Sequence, residues 1–302
     1  MILVDASQII VATAFALKSE IIGKEQKEIC DILRHGTLNT LKSFKMKYSK
    51  DYGDELILLC DGERYWRKDI YPYYKGDRKQ KRDASDMPWD MIHESKKQLI
   101  DEFKTVLPYR VLHHSKAEAD DLFAIMVREV ASKRIDETSL FDPESEKVIM
   151  ISSDGDLKQL HSSTVRQFSP MSNSFVKIEE KNPMEFLKKK ILVGDRGDFI
   201  CNCFSPFGSL HNGVRQKPAT EAKMALILKE SYETLEDGTD DPEIKERIKL
   251  NRKLMSFYEI PKDIIDEVLI EYQKPFKSSR DKFYRYLSSK GCKHLLGEIQ
   301  KF

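Results

Sequence analysis

The chain opens on Met1-Ile-Leu-Val-Asp5, a short apolar run closed by an acid, and the same pattern returns twice. Glu55-Leu-Ile-Leu-Leu-Cys-Asp61 and Lys147-Val-Ile-Met-Ile-Ser-Ser-Asp154 are nearly continuous apolar segments that also end in aspartate. Short runs without apolar–polar alternation read as strands covered on both faces, and Arg110-Val-Leu-His-His114 is a weaker candidate of the same kind. Between them the period changes to that of a helix. Residues 8–18 and 24–46 are predicted helices, the second carrying Ile29, Ile32, Leu33, Leu38, Leu41 and Phe44 on one stripe. Further helices are predicted over 89–107 (Ile92, Leu99, Ile100, Phe103) and 118–133 (Leu122, Phe123, Met126, Val127, Val130), with a loop over 134–146. Buried strands separated by helices imply an α/β fold with a parallel-dominated central sheet, flanked by helices and joined by right-handed crossovers. Beyond residue 183 the strand signals fade. The expected division is an α/β domain over 1–182 and a smaller helical region over 183–302, packed together because no long linker separates them.

Composition narrows this little. The formal net charge of the 302 residues is +1, so attraction to a polyanion must come from local segregation of charge. Five scattered cysteines suggest reduced thiols, and Cys201 and Cys203 lack a second pair at zinc-finger spacing. No signal peptide is evident and no apolar segment reaches the roughly 18 residues of a membrane span, so a cytoplasmic protein is expected.

The acids carry the candidate chemistry. Strands of a parallel sheet end on one edge, where functional crevices form, so Asp5, Asp61, Asp154 and Asp156 should converge there. An aspartate after a strand often only caps the next helix, a reading that weakens when three strands share it. Glu118-Ala-Asp120-Asp121 opens a predicted helix, more acid than a cap requires, and Gly194-Asp195-Arg-Gly-Asp198 adds another acidic pair. So many carboxylates in one pocket need cations. Magnesium suits an oxygen-rich, histidine-poor set, and two ions about 4 Å apart would activate water and hold a phosphate.

A second feature is basic and aromatic. From Arg64 to Arg82 eight basic residues face two acids, a local balance of +6, with Tyr65, Trp66, Tyr71, Tyr73 and Tyr74 interleaved. Aromatics at this density need a core to enter or a ligand to stack on, and contact with an unpaired nucleic-acid strand is the favoured reading.

In their order and spacing these stretches resemble the 5′-nuclease family of flap endonucleases, the 5′-exonuclease domains of bacterial DNA polymerases, and phage relatives. The resemblance runs through Leu3-Val-Asp5, Leu59-Cys-Asp61, Tyr65-Trp-Arg-Lys-Asp69, Tyr73-Tyr-Lys75-Gly-Asp-Arg78, Glu118-Ala-Asp-Asp121, Asp154-Gly-Asp156 and Gly194-Asp195-Arg-Gly-Asp198, over essentially the whole chain. It implies a PIN-like sheet and two magnesium ions, with manganese as a substitute. Asp5, Asp61, Glu118 and Asp120 would surround one ion. Asp154, Asp156 and Asp198 would surround the other, with Asp120 near both and Asp121 and Asp195 in support. Lys75 and Arg78 would act on the scissile phosphate beside Asp120, Asp154 and Asp156, from a basic arch over about 64–88. Arg64, Tyr65, Trp66, Arg67, Tyr74, Lys75, Arg78 and Lys79 would contact the single strand. Where the family continues into a helix–three-turn–helix element, this chain lacks the glycine-rich turn; Arg215, Lys217 and Thr220 are the substitutes for duplex contact.

The implied activity is 5′-3′ exonuclease and flap endonuclease cleavage, with ribonuclease H action on primers in phage replication in the host cytoplasm. The implied partners are DNA and RNA–DNA duplexes with 5′ ends or flaps, besides a single-stranded-DNA-binding protein and a sliding clamp; Ile299-Gln-Lys-Phe302 could dock on such a clamp, but a helix end packed on the body is the preferred reading of those four residues. No membrane partner is expected, and the protein should be a monomer. Two rivals differ in class. A non-catalytic DNA-binding module would keep binding without cleavage. A haloacid-dehalogenase-like phosphatase needs a second aspartate two residues after the first, where this chain has Ser7.

Overall fold

The computed structural model of the protein describes residues 1–77, 82–134, 146–276 and 279–302. The apolar runs are strands β1 (Ile2–Asp5), β2 (Leu56–Cys60), β3 (Arg110–His113) and β4 (Val148–Ile151). Together with β5 (Val165–Ser169) and β6 (Ser174–Phe175) they form one sheet in the order β3-β2-β1-β4-β5-β6, parallel except for β6. The pleat divides each run between two cores. Ile2, Val4, Leu58 and Ile151 enter one, and Leu3, Ile57, Leu59 and Met150 the other. Burying each such side chain is worth about 1.5–3 kcal/mol, which is why runs this short still fix register.

Helices α1 (Ala6–Ala16), α2 (Lys18–Ile21) and α3 (Gln26–Tyr52) follow β1. The short α4 (Trp66–Ile70) follows β2, and then α5 (Trp89–Val106). Of these, α1, α3 and α5 cover the first face. On the second face lies α6 (Ala119–Ile125), which continues through a π-helical turn, Met126–Val130, and a 3₁₀ turn, Ala131–Lys133. The expected helix over 118–133 therefore exists but changes pitch. Most of the loop expected over 134–146 lies outside the described residues.

The later chain is helical, as its pattern predicts: α7 (Pro183–Val193), α8 (Glu221–Met224) and α9 (Pro242–Met255) close a small core of their own around Leu187, Ile191, Met224 and Ile248. It then returns to the sheet. Ile264 and Val268 of α10 (Lys262–Gln273) join the second core, while Phe283 and Leu287 of α11 (Arg280–Ser289) and Leu295 of α12 (Lys293–Leu296) join the first. Phe302 follows them, its ring 4.9 Å from Phe283 and 6.4 Å from Tyr109. Residues 299–302 thus end packed on the body of the fold, the reading preferred for them over clamp docking. No helix among the described residues is long and apolar enough to cross a membrane.

One polar knot ties α3, α5 and α11 together. Arg34, only 1% exposed, donates to Glu102 at 3.0 and 3.1 Å and to the Tyr286 hydroxyl at 2.9 Å, while Lys290 donates to Glu102 at 2.8 Å. Burial alone would raise the Glu102 carboxyl, but bonds from Arg34, Lys290, Tyr286 and Gln98 hold it at about 2. Breaking such a pair from one side costs about 3–5 kcal/mol, so Arg34→Met should lower the unfolding free energy by about 3 kcal/mol at neutral pH. Because the Glu102 pKa is depressed on folding, its contribution is present above its usual pKa and fades as pH falls towards 2. The deficit of Arg34→Met against the unmutated protein should therefore be smaller at about pH 3.5 than at about pH 7 in denaturant titrations. An equal deficit at both would show that packing, not charge, holds the knot.

Candidate active site

Chain order reverses between β1 and β4, with β2 and β3 to one side and β5 and β6 to the other, so a crevice opens beyond their carboxyl ends. Register aligns Asp5 with Leu59 and Val4 with Ile151, which brings Asp5, Asp61 and Ser152 to one edge. Asp5 is both cap and site residue. One oxygen accepts the Gln8 N–H at 2.8 Å at the start of α1, and the other accepts the Ser152 hydroxyl at 3.4 Å. Burial, then the charges of Asp61 and Asp154, push its carboxyl up to about 7.

Gly62 sets the approach of the next acid. A Cβ there would meet the His114 carbonyl oxygen at 2.3 Å, and the Gly62 N–H donates to the Ala117 carbonyl at 2.8 Å. This close crossing carries Asp61 to the start of α6, where it accepts the Ala119 N–H at 3.0 Å. Asp120 follows on α6, and burial together with Asp154 and Asp5 raises it well above the usual carboxylate range.

On the other side of the crevice Asp154 caps the 3₁₀ turn Gly155–Leu160, accepting the Asp156 N–H at 2.8 Å. Burial raises Asp154 despite Lys190 and Lys75. Gln167 of β5, 1% exposed, braces this turn by donating to the Ser152 carbonyl at 2.9 Å and the Asp154 carbonyl at 2.7 Å. Gly194, at φ +73°, ends α7 where a Cβ would lie 2.6 Å from the Ile200 and Cys201 backbone, and so permits the Asp195–Ile200 bridge. Burial would raise Asp195, but Lys190 at 3.0 Å and the N–H groups of Asp198 and Gly197 hold it below its usual range.

Sequence reasoning missed Lys190, which projects from α7 to pair with Asp156 as well as Asp195. Nothing in Lys188-Lys189-Lys190 marked the last residue as the one facing the acids. The expected Lys75 does reach the crevice. It pairs with Glu118, lies 3.7 Å from Asp198, and is held at φ 56° with its N–H donating to the Asp198 carbonyl at 3.0 Å. Burial would raise Glu118, yet Lys75 and Arg67 keep it low.

Several other expected roles are corrected. Asp121 is fully buried, accepting from Arg67 at 2.7 and 2.9 Å, from Trp66 Nε1 at 3.1 Å and from the Glu118 N–H at 3.0 Å. It holds Glu118 and α4 in place, with both of its oxygens bound by Arg67. Its donors Trp66 and Arg67 are buried as well, Arg67 also reaching the Leu254 carbonyl at 2.7 Å, so neither meets a nucleic acid. Tyr74 is buried with its hydroxyl donating to Glu118 at 2.8 Å and Asp198 at 3.0 Å. The aromatic run therefore enters a core, with Tyr71 and Tyr74 against Ile200, Leu254 and Met255 and with Tyr65 and Tyr73 at its margin. Arg64 stays exposed and paired with Asp69 at 2.8 Å. The expected arch over 64–88 is thus anchored in this core through Tyr71 and Tyr74, and Arg78 and Lys79 lie outside the described residues. Arg215, Lys217 and Thr220 are exposed, but α8 after Thr220 is a single turn, too short to focus a macrodipole on phosphate.

The crevice is thus lined by oxygen donors whose charges oppose one another, interrupted by two ammonium groups. Among the described residues no three acid, imidazole or thiol groups form a ready-made metal-ligand set, and Lys75 and Lys190 are paired with Glu118 and Asp156. The donor chemistry itself fits a hard divalent ion: carboxylates in excess of their partners, with Asp5 and Asp120 raised chiefly by burial and then by neighbouring carboxylates.

Comparison with known proteins places this geometry. A family model described as the 5′-3′ exonuclease N-terminal resolvase-like domain matches residues 1–190, and one described as the T4 RNase H C-terminal domain matches 182–302. The ribonuclease H of Enterobacteria phage T4 is 31% identical over 306 residues, covering 99% of this chain and 95% of that protein. The bacteriophage T5 flap endonuclease, solved in a pseudo-enzyme–product complex with DNA and metal ions, superposes with a TM-score of 0.64 at 18% identity, covering 90% of this chain and 99% of that one. The T5 5′-exonuclease with bound zinc superposes with a TM-score of 0.61 at 18% identity, covering 90% and 97%. With its sheet edge, its acids in the expected order and these matches across both halves, the chain is a nuclease that belongs to the 5′-3′ exonuclease family.

Proposed function

We propose that this protein is a structure-dependent 5′-nuclease that hydrolyses phosphodiesters at and near the 5′ ends of RNA–DNA and DNA duplexes and at 5′ flaps. Removal of RNA primers during phage replication would be its role. One observation carries the reading. Carboxylates from three parallel strands, one helix start and one loop face a single crevice, and Lys75 and Lys190 are already drawn in among them. The name of the T4 relative and the DNA and metal ions named for the T5 structure support the substrate and the cofactor class.

Two magnesium ions, with manganese as substitute, are the proposed cofactors; bound there they would polarise the phosphate, acidify the attacking water and stabilise the leaving oxygen. Asp5, Asp61, Glu118 and Asp120 would hold one, and Asp154, Asp156 and Asp198 the other, with Asp120 near both and Asp195 in support. Asp121 and Gln167 keep these oxygens in place, the first through Arg67 and the Glu118 N–H, the second through the carbonyls before and within the Asp154 turn. Lys75, once released from Glu118, is placed to neutralise charge growing on the phosphate, and the buried Tyr74 hydroxyl keeps Glu118 and Asp198 oriented as it moves.

Asp156→Asn should abolish magnesium-dependent cleavage of a 5′-labelled flap while leaving DNA binding in place, and excess chelator should silence the unmutated protein. Binding without any metal-dependent cleavage by the unmutated protein would instead support the non-catalytic reading. Lys75→Ala should slow single-turnover cleavage about 100-fold or more and weaken duplex binding far less, because a charge acting on the transition state is worth several kcal/mol there and little in the ground state. Equal losses in rate and affinity would reduce Lys75 to a general phosphate contact.

A further inference from the structure

Most of the aromatic run is consumed by the core, yet its margin supports one exposed ring from elsewhere in the chain. Phe207, 57% exposed, lies in the loop after Asp198 where the chain departs from the family pattern. It is braced edge-on by Tyr71 (centroids 5.6 Å apart, 83°) and obliquely by Tyr73 (6.2 Å, 57°), while His211 stacks on Tyr73 at 4.1 Å and 26°. Gly208, at φ +72°, lets the loop settle against the Tyr73 ring, 4.0 Å from its Cβ position. A phenylalanine in a loop would normally lower its exposure by turning inward. Here Tyr71 and Tyr73 hold it in place, with Tyr73 itself backed by His211, so its face is preorganised and little rotamer entropy remains to be lost on binding.

Beside this ring is a cavity of about 560 Å³ lined by Phe207, Pro242, Glu243, Glu246, Arg247 and Leu250. That is within the roughly 300–1,000 Å³ of small-molecule sites. Its chemistry selects the occupant. Arg247 is bound to Glu243 at 2.9 Å and Lys249 to Glu246 at 3.4 Å, so the acids would repel a phosphate. A planar ring with N–H edges suits the same walls: Phe207 offers a stacking face and the Glu243 and Glu246 carboxylates can accept from ring or amino N–H groups. Tyr73, against which Phe207 rests, stands two residues before Lys75, so the ring sits on the turn that carries Lys75 to the crevice. We infer that Phe207 and this cavity form a stacking site for one unpaired nucleobase of the substrate, held beside the crevice irrespective of base identity. The inference rests on the nuclease reading and adds a contact that the carboxylates do not supply.

The test compares Phe207→Ala and Phe207→Trp, at an exposed position where neither should disturb folding. Binding is measured in chelator, so that nothing is cut, to a duplex bearing a short unpaired 5′ tail and to the same duplex blunt-ended. Phe207→Ala should weaken the tailed duplex about 5- to 100-fold, the effect of losing one base–aromatic stack, and the blunt duplex by no more than about twofold. Phe207→Trp should retain the affinity for the tail, and 2-aminopurine in the tail should be quenched by the unmutated protein and not by Phe207→Ala. Equal losses on both duplexes, or an unchanged affinity for the tail, would overturn the inference, the second leaving a protein side chain as the occupant. Cleavage of the tailed substrate by the unmutated protein in magnesium separates the two readings. If cleavage is normal and the alanine variant binds like the unmutated protein, only the stacking site fails; if cleavage is absent, the nuclease reading fails.

Discussion

Negative charge gathered at one edge of a parallel sheet is the constraint around which the rest of this molecule is arranged. Two like charges about 4 Å apart repel by about 4 kcal/mol in a partly shielded protein environment, and here Asp61 and Asp154 act on Asp5, and Asp154 and Asp5 on Asp120. The fold answers in three ways. It pairs the deepest acids with fixed cations, as Arg67 is paired with Asp121 and Glu118. It brings in lysines, Lys75 from the turn after α4 and Lys190 from α7. It also leaves Asp5 and Asp120 with raised pKa values, so part of the repulsion remains in the protein. A crevice in that condition gains free energy from any divalent ion it admits.

The same constraint explains why the helical region does not stand apart. Lys190 and Asp195 belong to it, Arg67 is anchored on the Leu254 carbonyl at the end of α9, and Tyr71 and Tyr74 pack on Leu254 and Met255. The site is assembled across the seam between the sheet and the later helices, and α10 to α12 then fasten that seam by returning to both cores. Arg34 and Glu102 do for the far face what Arg67 and Asp121 do beside the site.

What could be read from the sequence follows from how local each signal is. Strands β1, β2 and β4 were legible because both faces are apolar, and their terminal acids came with them. β5 was not, since Arg166, Gln167 and Ser169 break the run. Gln167 is polar because it serves the carbonyls of the Asp154 turn, a requirement set by a neighbouring strand. The aromatic stretch was misread for a related reason. Composition could say that Trp66, Tyr71 and Tyr74 need a partner, but the partners are Asp121, Ile200, Leu254 and Met255, distant in sequence. Lys190 looked like any lysine on a helix surface until α7 was set against the Gly155–Leu160 turn.

The central claim is that this crevice accepts divalent ions in place of its own lysines. A crystal soaked in manganese and measured by anomalous scattering tests it directly. Two peaks are expected, one among Asp5, Asp61, Glu118 and Asp120 and one among Asp154, Asp156 and Asp198, with Lys190 displaced from Asp156. No peak in the crevice, with Lys75 and Lys190 still paired to Glu118 and Asp156, would contradict it.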